Sequence, residues 1–310
     1  MLHFNRSPSD ASWIACVPSG ALVRFARVER RPEGQRPAVR WLHEQPWNDA
    51  PRALRQARRA GQLGRHRCVA LLQRQHYQLL PMDAPDVPRE DWRAAVRWKI
   101  KDMVEFPVET AGVDLLEVPA EASARRQASL IAVAAPADAL RPLVHAAEEA
   151  GVRWQALDVA ETALRNLSAL FASDGRSHAL LHVGETHGTL VITLGGELLL
   201  SRQIDVTADQ IAAADESQRQ TAFDRAGLEL QRTLDGFERV FTATSLERLQ
   251  VLPGRGIDAF CDYVRELVYV PVLQADPALV LDLSALPPQA GQADALSPYL
   301  VAIGAALRTD

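Results

Sequence analysis

The sequence predicts a two-domain α/β protein whose two halves repeat one layout. The chain has 310 residues, and this length is typical of about two domains. Hydrophobic residues make up 47% and charged residues 24%, a balance that supports buried cores and excludes global disorder. Each half opens with three short alternating segments and later runs through a helix and a valine-containing strand to an aspartate. A layout given twice indicates two related halves that face each other across a cleft.

The first half is expected to begin as an antiparallel meander followed by a helix. Alternating apolar residues mark the strands, and segments rich in Pro or Gly mark the turns between them. Strands are predicted at residues 13–17, 21–28, 38–43, 68–72 and 77–80, with a polar helix at residues 50–61.

A different unit is predicted to begin after the prolines of residues 81–88. A helical stripe of Trp92, Val96, Ile100 and Met103 predicts a helix over residues 89–104. The helix should stop there because a proline at 107 disfavours helical backbone in the residue before it. Beyond it we expect a strand at residues 112–118, a polar linker at 120–127 and a strand at 129–134.

The first half closes with one more helix–strand–helix run, and the second half then restarts the pattern. The run comprises a helix at residues 137–150, a strand at 153–157 and a helix at 160–172. Residues 173–177 are polar and contain a glycine, so they form the best boundary between domains. We therefore assign residues 1–175 to the first domain, with an inserted subdomain at about residues 84–127, and residues 176–310 to the second.

In the second half, three strands are followed by a long helix and by a second helix–strand unit. Gly195-Gly196 is a hairpin turn, and apolar residues from Phe223 to Phe241 mark one face of the long helix. Ser297-Pro298 is a good start for the last helix. Strands are predicted at residues 178–183, 189–194, 197–204, 249–252 and 270–274, and a helix at residues 257–267.

Charge, cysteine content and hydropathy exclude several classes of protein. The formal net charge is −5 and the pI is about 5.9, whereas general nucleic-acid binding needs a surplus of cationic side chains. Cys16, Cys68 and Cys261 are too far apart for a disulfide framework or a paired metal motif. No apolar stretch is long enough to span a bilayer, and the N-terminus lacks the apolar core of a secretory signal. We expect a soluble, cytoplasmic protein that does not insert into a membrane.

Five blocks of sequence carry a resemblance to a known family. They are PREDWRAAVRWKIKDMVEFPVETAGVDLLEV (88–118), AGVRWQALDVAETALRNL (150–167), LLHVGETHGTLVITLGGELLLSRQID (180–205), LELQRTLDGFERVF (228–241) and SPYLVAIGAALR (297–308). In this order they resemble blocks of the PilM-type pilus assembly proteins, which belong to the actin-like ATPase superfamily. The match covers essentially the whole chain and is nearest to the MshI branch, which serves mannose-sensitive haemagglutinin (MSHA) type IV pili.

The resemblance implies a fold, a partner and a place in the cell. The fold would be actin-like, with two ribonuclease H-like halves and a small inserted subdomain. The protein would bind the short cytoplasmic tail of a PilN-like inner-membrane protein, which would hold it at the inner membrane from the cytoplasmic side. In that position it would help to connect the pilus assembly platform to the cytoplasmic motor.

The resemblance also implies a groove for the tail between the inserted subdomain and the first domain. Trp98 falls outside the apolar stripe of its helix and is flanked by Arg97 and Lys101. A large aromatic side chain beside cations is a plausible anchor for a peptide, and the alternative is that it packs on the neighbouring domain. We expect Trp98, Phe106 and Leu115 to contribute apolar contacts, and Arg97 and Lys101 to provide charges at the rim.

The residues that actin-like ATPases use to hold magnesium and phosphate are missing from this chain. In that superfamily each of two hairpins has an aspartate at the end of a strand. The first hairpin here, residues 13–20, has no aspartate, and Pro18 removes a backbone donor. The second has His182 where the pattern has an aspartate, and neutral imidazole is a poor ligand for Mg²⁺. We therefore expect no metal site and no catalytic residues.

Only the nucleoside side keeps traces of the superfamily pattern. Gly254-Arg255-Gly256 stands where the family has a glycine-rich adenosine loop, and Glu229 and Arg232 lie on the helix that would flank it. With Gly184 of the second hairpin, these residues are the ones expected to contact a nucleotide. By itself the glycine motif is weak, and a plain strand-to-helix turn is the better explanation of it. We expect no ATP hydrolysis, no required cofactor, and weak or absent ATP binding.

Two further site types are weighed against simpler interpretations. His178 and His182 lie on one strand face, but residues four apart in a strand are about 13 Å apart, so they are not expected to share a metal with His187. Glu229 and Arg225 have the spacing of a surface ion pair on a helix. No serine has histidine and aspartate companions that the sequence identifies, so a hydrolase triad is not supported.

Two alternatives to a non-catalytic adaptor stay open. One is an active ATPase or small-molecule kinase on the same fold. The other is the cytoplasmic part of a type II secretion L-type protein, which shares the fold. Those chains continue into a membrane span and a periplasmic domain, whereas this sequence ends at Asp310, so we expect the pilus assignment to be the better one.

Overall fold

The computed structural model describes residues 12–32, 34–60, 63, 66–122, 128–173 and 175–309. Parts of the predicted helix 50–61, linker 120–127 and boundary 173–177 lie outside the described residues. The strands are β1 (Ser12–Ser19), β2 (Leu22–Glu29), β3 (Ala38–Pro46), β4 (Arg67–Leu71), β5 (Gln78–Asp83), β6 (Gly112–Val118), β7 (Ser129–Ala135), β8 (Ala156–Asp158), β9 (Ser177–Val183), β10 (Gly188–Leu194), β11 (Glu197–Ile204), β12 (Leu246–Val251) and β13 (Val272–Gln274). The helices are α1 (Ala50–Arg59), α2 (Trp92–Lys99), α3 (Ala137–Ala150), α4 (Ala160–Phe171), α5 (Ala208–Ile211), α6 (Glu216–Val240), α7 (Ile257–Arg265), α8 (Pro277–Val280), α9 (Ala293–Leu296) and α10 (Leu300–Ala306).

Two five-stranded sheets share one strand order. The first runs β3-β2-β1-β4-β8 and the second β11-β10-β9-β12-β13. In each sheet the first three strands form an antiparallel meander. The other two strands lie parallel to the meander strand that comes first in the chain, which is β1 in the first sheet and β9 in the second. The parallel strands follow helices in the chain, as parallel neighbours require crossover connections. The repeated layout predicted from the sequence is confirmed.

A third, smaller sheet is inserted between β4 and β8. Its order is β5-β7-β6, and all its strands are antiparallel. The core beneath it buries Val96 of α2 and Ile100 just after this helix, together with apolar residues of β6 and β7. β5 and β7 lie on either side of the segment predicted as the insertion, residues 84–127.

Helix α2 is shorter than predicted, ending at Lys99 instead of residue 104. The side chain of Arg97 donates hydrogen bonds to the carbonyl oxygens of Val108 and Ala111. These bonds hold the returning loop against the helix, and Val108 is buried in the same core as Val96. Placing Met103 in the buried stripe was therefore wrong, since its side chain is 48% exposed.

Helices α4 and α10 hold the two large sheets together. α4 precedes the second sheet in the chain and packs on β9, β10 and β11, whereas the last helix, α10, packs on β1 and β2. The two helices also contact each other, so one apolar core includes residues from both sheets. Gly304 permits this contact, because a Cβ there would collide with the carbonyl oxygen of Ala163. No helix within the described ranges is long and apolar enough to cross a membrane.

Candidate functional site

A cleft of about 560 Å³ lies where the β1–β2 and β9–β10 hairpins of the two large sheets face each other. The strand order places these hairpins at equivalent positions in the two sheets. Further walls come from the segment after β4, from α5 and from the loop after β12. The lining includes Pro18, Ser19, Arg24, Arg74, His182, Gly184, Glu185, His187 and Gly254.

An ion-pair cluster, here called the clasp, joins the two hairpins and consists of Ser19, Arg24, Glu44 and Glu185. The Arg24 side chain donates one hydrogen bond to Glu185 Oε1 at 2.6 Å and another to Glu44 Oε2 at 2.6 Å. The Ser19 hydroxyl donates to Glu185 Oε2 at 2.9 Å. Both oxygens of Glu185 are therefore bound by groups of the opposite hairpin.

The clasp stays charged at neutral pH. Burial disfavours the charge on Arg24, but its hydrogen bonds to Glu185 and Glu44 outweigh this and raise the pKa of the guanidinium. Burial also opposes ionisation of Glu185, yet the hydrogen bonds from Arg24 and Ser19 hold the pKa of this carboxyl below its ordinary value. The clasp thus pairs the buried Arg24 cation with the Glu185 carboxylate, and Glu44 is the second partner of the guanidinium.

The histidines of the second hairpin are neutral at physiological pH. Burial, and then the neighbouring His187, lower the pKa of His182 to about 4. Burial, and then the positive charge of Arg74, lower the pKa of His187. Within the described residues, no group of three or more His, Cys, Asp or Glu side chains could hold a metal ion.

The two hairpins of the cleft offer few free groups to a magnesium-bound triphosphate, the ligand that the superfamily resemblance implies. Glu185 is the carboxylate of the second turn, but its oxygens already accept from Arg24 and Ser19. The backbone N–H of Gly184 donates to the carbonyl oxygen of His187 at 3.0 Å, so it is not available to a phosphate. In the first hairpin, Pro18 has no N–H to offer.

The glycines of the predicted adenosine loop make close contacts with the protein itself. Gly256 has φ +76°, and a Cβ there would lie 2.5 Å from the carbonyl oxygen of Ile211 in α5. A Cβ on Gly254 would lie 3.3 Å from Ser297 Oγ. Gly254 lines the cleft, and Gly256 lies just beyond it. Close packing therefore explains both glycines without a ligand.

Glu229 and Arg232 on α6 do not line the cleft. Glu229 accepts a hydrogen bond from the backbone N–H of Asp205 at 3.0 Å and so fixes the end of β11. Arg225 forms its ion pair with Asp205 at 3.1 Å. The predicted ion pair between Arg225 and Glu229 is therefore not formed, and both side chains contact Asp205 instead. Arg232 is exposed. Of the five residues predicted to contact a nucleotide, the structure brings Gly184 and Gly254 to one cavity.

The predicted partner residues divide into an outer pair and an inner set. Trp98 is 66% exposed, and the ammonium of Lys101 lies 5.5 Å from its ring centroid. Arg97 is occupied by the two carbonyl oxygens of the returning loop, and Phe106 and Leu115 are half-buried against the subdomain core. The side chains of Val87 and Met103 are also exposed and belong to the same subdomain.

A buried polar network, which the sequence did not reveal, links the end of α4 to the second sheet. Ser168 Oγ lies 2.8 Å from His178 Nδ1 and 2.7 Å from Thr193 Oγ1. His178 Nε2 lies 2.6 Å from Gln250 Oε1, so the group opposite the serine is an amide and not a carboxylate. All four side chains are buried, so this network is structural. Its members come from separate elements, and no spacing in the sequence identifies them.

A second buried contact ties the cleft wall to the third sheet. The hydroxyl of Tyr77, just before β5, donates to Glu161 Oε2 of α4 at 2.5 Å. Arg74, which lines the cleft, has its Nε 3.6 Å from Glu161 Oε1. Burial raises the pKa of Glu161, and the hydrogen bond from Tyr77 partly opposes this. The sequence identified neither residue, because their partners lie far away in the chain.

Comparisons with known proteins identify the fold. No protein-family model matches the chain, and a search of curated proteins finds no significant match. A solved PilM–PilN type IV pilus biogenesis complex is 21% identical, covers 96% of this chain and 98% of its own, and has a TM-score of 0.73. A protein of unknown function with an actin-like ATPase fold from Bacteroides thetaiotaomicron is 10% identical, with coverage of 90% and 95% and a TM-score of 0.52.

A third solved structure is the cytoplasmic domain of EpsL, an inner-membrane component of the type II secretion system of Vibrio cholerae. It is 13% identical, covers 96% of each chain and has a TM-score of 0.49. The first two similarities, together with the repeated strand order, establish the actin-like fold for this chain.

Proposed function

We propose that this protein is a non-catalytic adaptor in type IV pilus assembly, which binds the cytoplasmic tail of a PilN-like inner-membrane protein. The observation that carries the proposal is the exposed Trp98 beside Lys101 on the inserted subdomain. The system served would be an MSHA-type pilus, as in the MshI branch. The adaptor would lie at the cytoplasmic face of the inner membrane through its partner and would join the assembly platform.

An exposed tryptophan suits a peptide anchor. Tryptophan is enriched among the residues that dominate binding energy, because its large apolar surface is removed from water on binding. Trp98 is held on a short helix whose other face is buried at Val96 and Ile100, so its backbone position is fixed before a partner arrives. An extended tail could bury apolar side chains against Trp98, with Lys101 facing the tail's carboxylates or carbonyl oxygens.

The solved PilM–PilN complex supports this choice of partner. It contains a chain of the same fold, aligned over nearly the whole length of this one. The alignment covers 96% of this chain. The type of partner is therefore taken from that complex, and the anchor residue from the exposure of Trp98.

The absence of ATP turnover is the second part of the proposal. In the clasp, Arg24 and Ser19 already bind the carboxylate of Glu185, which lies in the turn of the second hairpin. Pro18 has no backbone N–H, and the N–H of Gly184 is already bonded within the hairpin. Hydrolysis on this fold would need hard oxygen ligands for Mg²⁺. We expect isothermal titration with Mg·ATP to give no measurable heat of binding. Micromolar binding that is lost in Gly254→Ala would support the alternative of an active ATPase.

Titration of a fluorescent peptide tests the anchor. The probe is the N-terminal cytoplasmic peptide of a PilN-like inner-membrane protein. Trp98→Ala should weaken binding by about 2 kcal/mol, or roughly thirtyfold in Kd, as expected for an aromatic hot spot. Leu279→Ala is a matched control, because Leu279 is a 72% exposed apolar residue on α8 in the second half of the chain. Equal affinities for wild type and Trp98→Ala would exclude Trp98 as the anchor.

Lysine labelling gives an independent readout at the same surface. The chain has only two lysines, Lys99 and Lys101, and both are exposed beside Trp98. Bound peptide should slow the acetylation of Lys101 by an amine-reactive reagent, while the terminal amine reports the reagent's activity. If both lysines are acetylated at unchanged rates when the peptide is saturating, the tail binds elsewhere.

A further inference from the structure

We propose that the arginine face of α1 binds the surface of an anionic phospholipid bilayer. The helix has ten residues, and Asp49 caps its N-terminus by accepting a hydrogen bond from the backbone N–H of Arg52 at 2.9 Å. One face, Ala53, Leu54 and Ala57, is buried in the core between α1, α3 and the first sheet. The outward side chains are Arg52, Arg55, Arg58 and Arg59.

The charge of this helix opposes that of the whole chain. The protein has a formal net charge of −5, yet residues 52–67 contain six arginines and no aspartate or glutamate. Residues 61, 62, 64 and 65 of this stretch lie outside the described residues, so the proposed surface is confined to α1. The helix, with a rise of about 1.5 Å per residue, concentrates four guanidinium groups along about 15 Å of surface.

The arginines of α1 are not used by the fold, with one exception. Arg58 donates a hydrogen bond to the carbonyl oxygen of Ala150 at 3.1 Å. In the described part of the chain, Arg52, Arg55 and Arg59 form no ion pair within 4.0 Å. Glu148 and Glu149 of α3 border the same depression as Arg55, Arg58 and Arg59. Glu149 pairs instead with His145 at 3.0 Å.

An anionic lipid surface suits this face better than a nucleic acid does. Its apolar residues are already buried in the protein, so contact with lipid would be electrostatic and would need no insertion. Lipid headgroups diffuse laterally and can gather near the arginines while avoiding Glu148 and Glu149. A duplex offers fixed phosphates, and nucleic-acid binding is typical of domains with a basic pI, whereas this chain has a pI of about 5.9.

Helix α3 connects the helix that carries the arginine face to the inserted subdomain. α3 packs against α1, and Leu140 and Leu143 of α3 pack against Tyr77 and Leu79 at the base of the third sheet. Both surfaces therefore border α3. Only this adjacency to the tail site rests on the proposed function; the charge of α1 is independent of it.

Vesicle co-sedimentation of the full chain tests the proposal. The probes are vesicles of phosphatidylcholine alone and of phosphatidylcholine with 30 mol% phosphatidylglycerol, at low and at high salt. Each basic residue near an anionic surface contributes about fivefold to binding. The triple variant Arg52→Gln, Arg55→Gln, Arg59→Gln should therefore weaken binding to phosphatidylglycerol vesicles by at least about tenfold. A matched control is Arg202→Gln, Arg232→Gln, Arg239→Gln, which removes the same charge from exposed sites on β11 and α6.

The outcomes separate the sources of binding. Salt-sensitive binding to phosphatidylglycerol vesicles that is lost in the α1 triple variant and kept in the control supports the proposal. No binding by wild type at low salt, or equal binding to neutral vesicles, overturns it. Equal losses in both triple variants would mean that net charge and not α1 governs binding, which also overturns it. Tighter binding to a labelled DNA duplex than to these vesicles would assign the face to nucleic acid. Because no tail peptide is present, failure here leaves the proposed function intact.

Discussion

Arg24 and Glu185 decide what the cleft can hold. They lie in different hairpins and meet only because the two large sheets face each other. The sequence shows that both hairpins lack an aspartate at the end of the first strand. It does not show that a glutamate in the second turn is bound by an arginine of the first hairpin, because that contact depends on how the sheets pack. The lack of an aspartate in both hairpins is thus visible in the sequence, whereas the clasp is not.

Glu185→Ala should free the Arg24 guanidinium to face the cleft. A charge-assisted hydrogen bond contributes about 1.5–3 kcal/mol, so we expect the variant to bind triphosphate about tenfold or more tightly than wild type. The measurement is calorimetric titration with metal-free ATP. Ser19→Ala, which keeps the Arg24–Glu185 pair, is the control and should behave as wild type. If wild type and Glu185→Ala bind ATP equally, the clasp does not block the cleft.

His178 and His182 should make the fold sensitive to mild acid. Burial lowers the pKa of each to about 4, although the hydrogen bond with Gln250 opposes the shift at His178. A pKa below the unfolded value of about 6.5 means that the unfolded chain takes up the proton first. Stability is then full above about pH 6.5 and falls as pH decreases toward 4, by at most about 1.4 kcal/mol per pH unit for each histidine.

Urea unfolding at pH 7.5, 6 and 5 measures this effect. The free energy of unfolding should be nearly constant above pH 7 and should decrease between pH 6 and 5. A value that stays constant from pH 7.5 to 5 would mean that the two histidines are hydrated in the folded protein.

Among the elements, the strands were more predictable than the helix ends. The alternation of apolar residues located both meanders, and Gly195 and Gly196 adopt φ values of +58° and +84° in the predicted hairpin turn. The end of α2 was not predictable from the pattern, because it depends on Arg97 reaching two carbonyl oxygens of a loop that follows. Local periodicity specifies an element, whereas contacts from outside the element decide where it ends.

Replacing two helical glycines by alanine should change the free energy of unfolding in opposite directions. A Cβ added at Gly236 in α6 would have no atom within 4 Å, so Gly236→Ala should stabilise the protein by about 0.5–1 kcal/mol through helix propensity. Gly304→Ala would place the methyl group against the Ala163 carbonyl oxygen, separate α10 from α4 and cost about 1–3 kcal/mol. Urea unfolding compares the two variants. Stabilisation by Gly304→Ala would show that the interface between α4 and α10 is loosely packed.

At the scale of the whole molecule, the cleft and the proposed tail-binding surface are separate. The cleft lies between the two large sheets, whereas Trp98 lies on α2 of the inserted subdomain and does not line the cleft. The sequence predicted both halves and the insertion through their repeated pattern and their resemblance to known blocks. It could not predict that Trp98 is exposed while Phe106 and Leu115 are half-buried, because this depends on how α2 packs on its own sheet.

Titration of the tail peptide with and without Mg·ATP is the most direct test of a non-catalytic adaptor. Since the clasp already joins the two hairpins without a ligand, the peptide should bind with the same Kd in both conditions, and no phosphate should be released. Tail binding that appears only with Mg·ATP, or that is accompanied by phosphate release, would contradict the account.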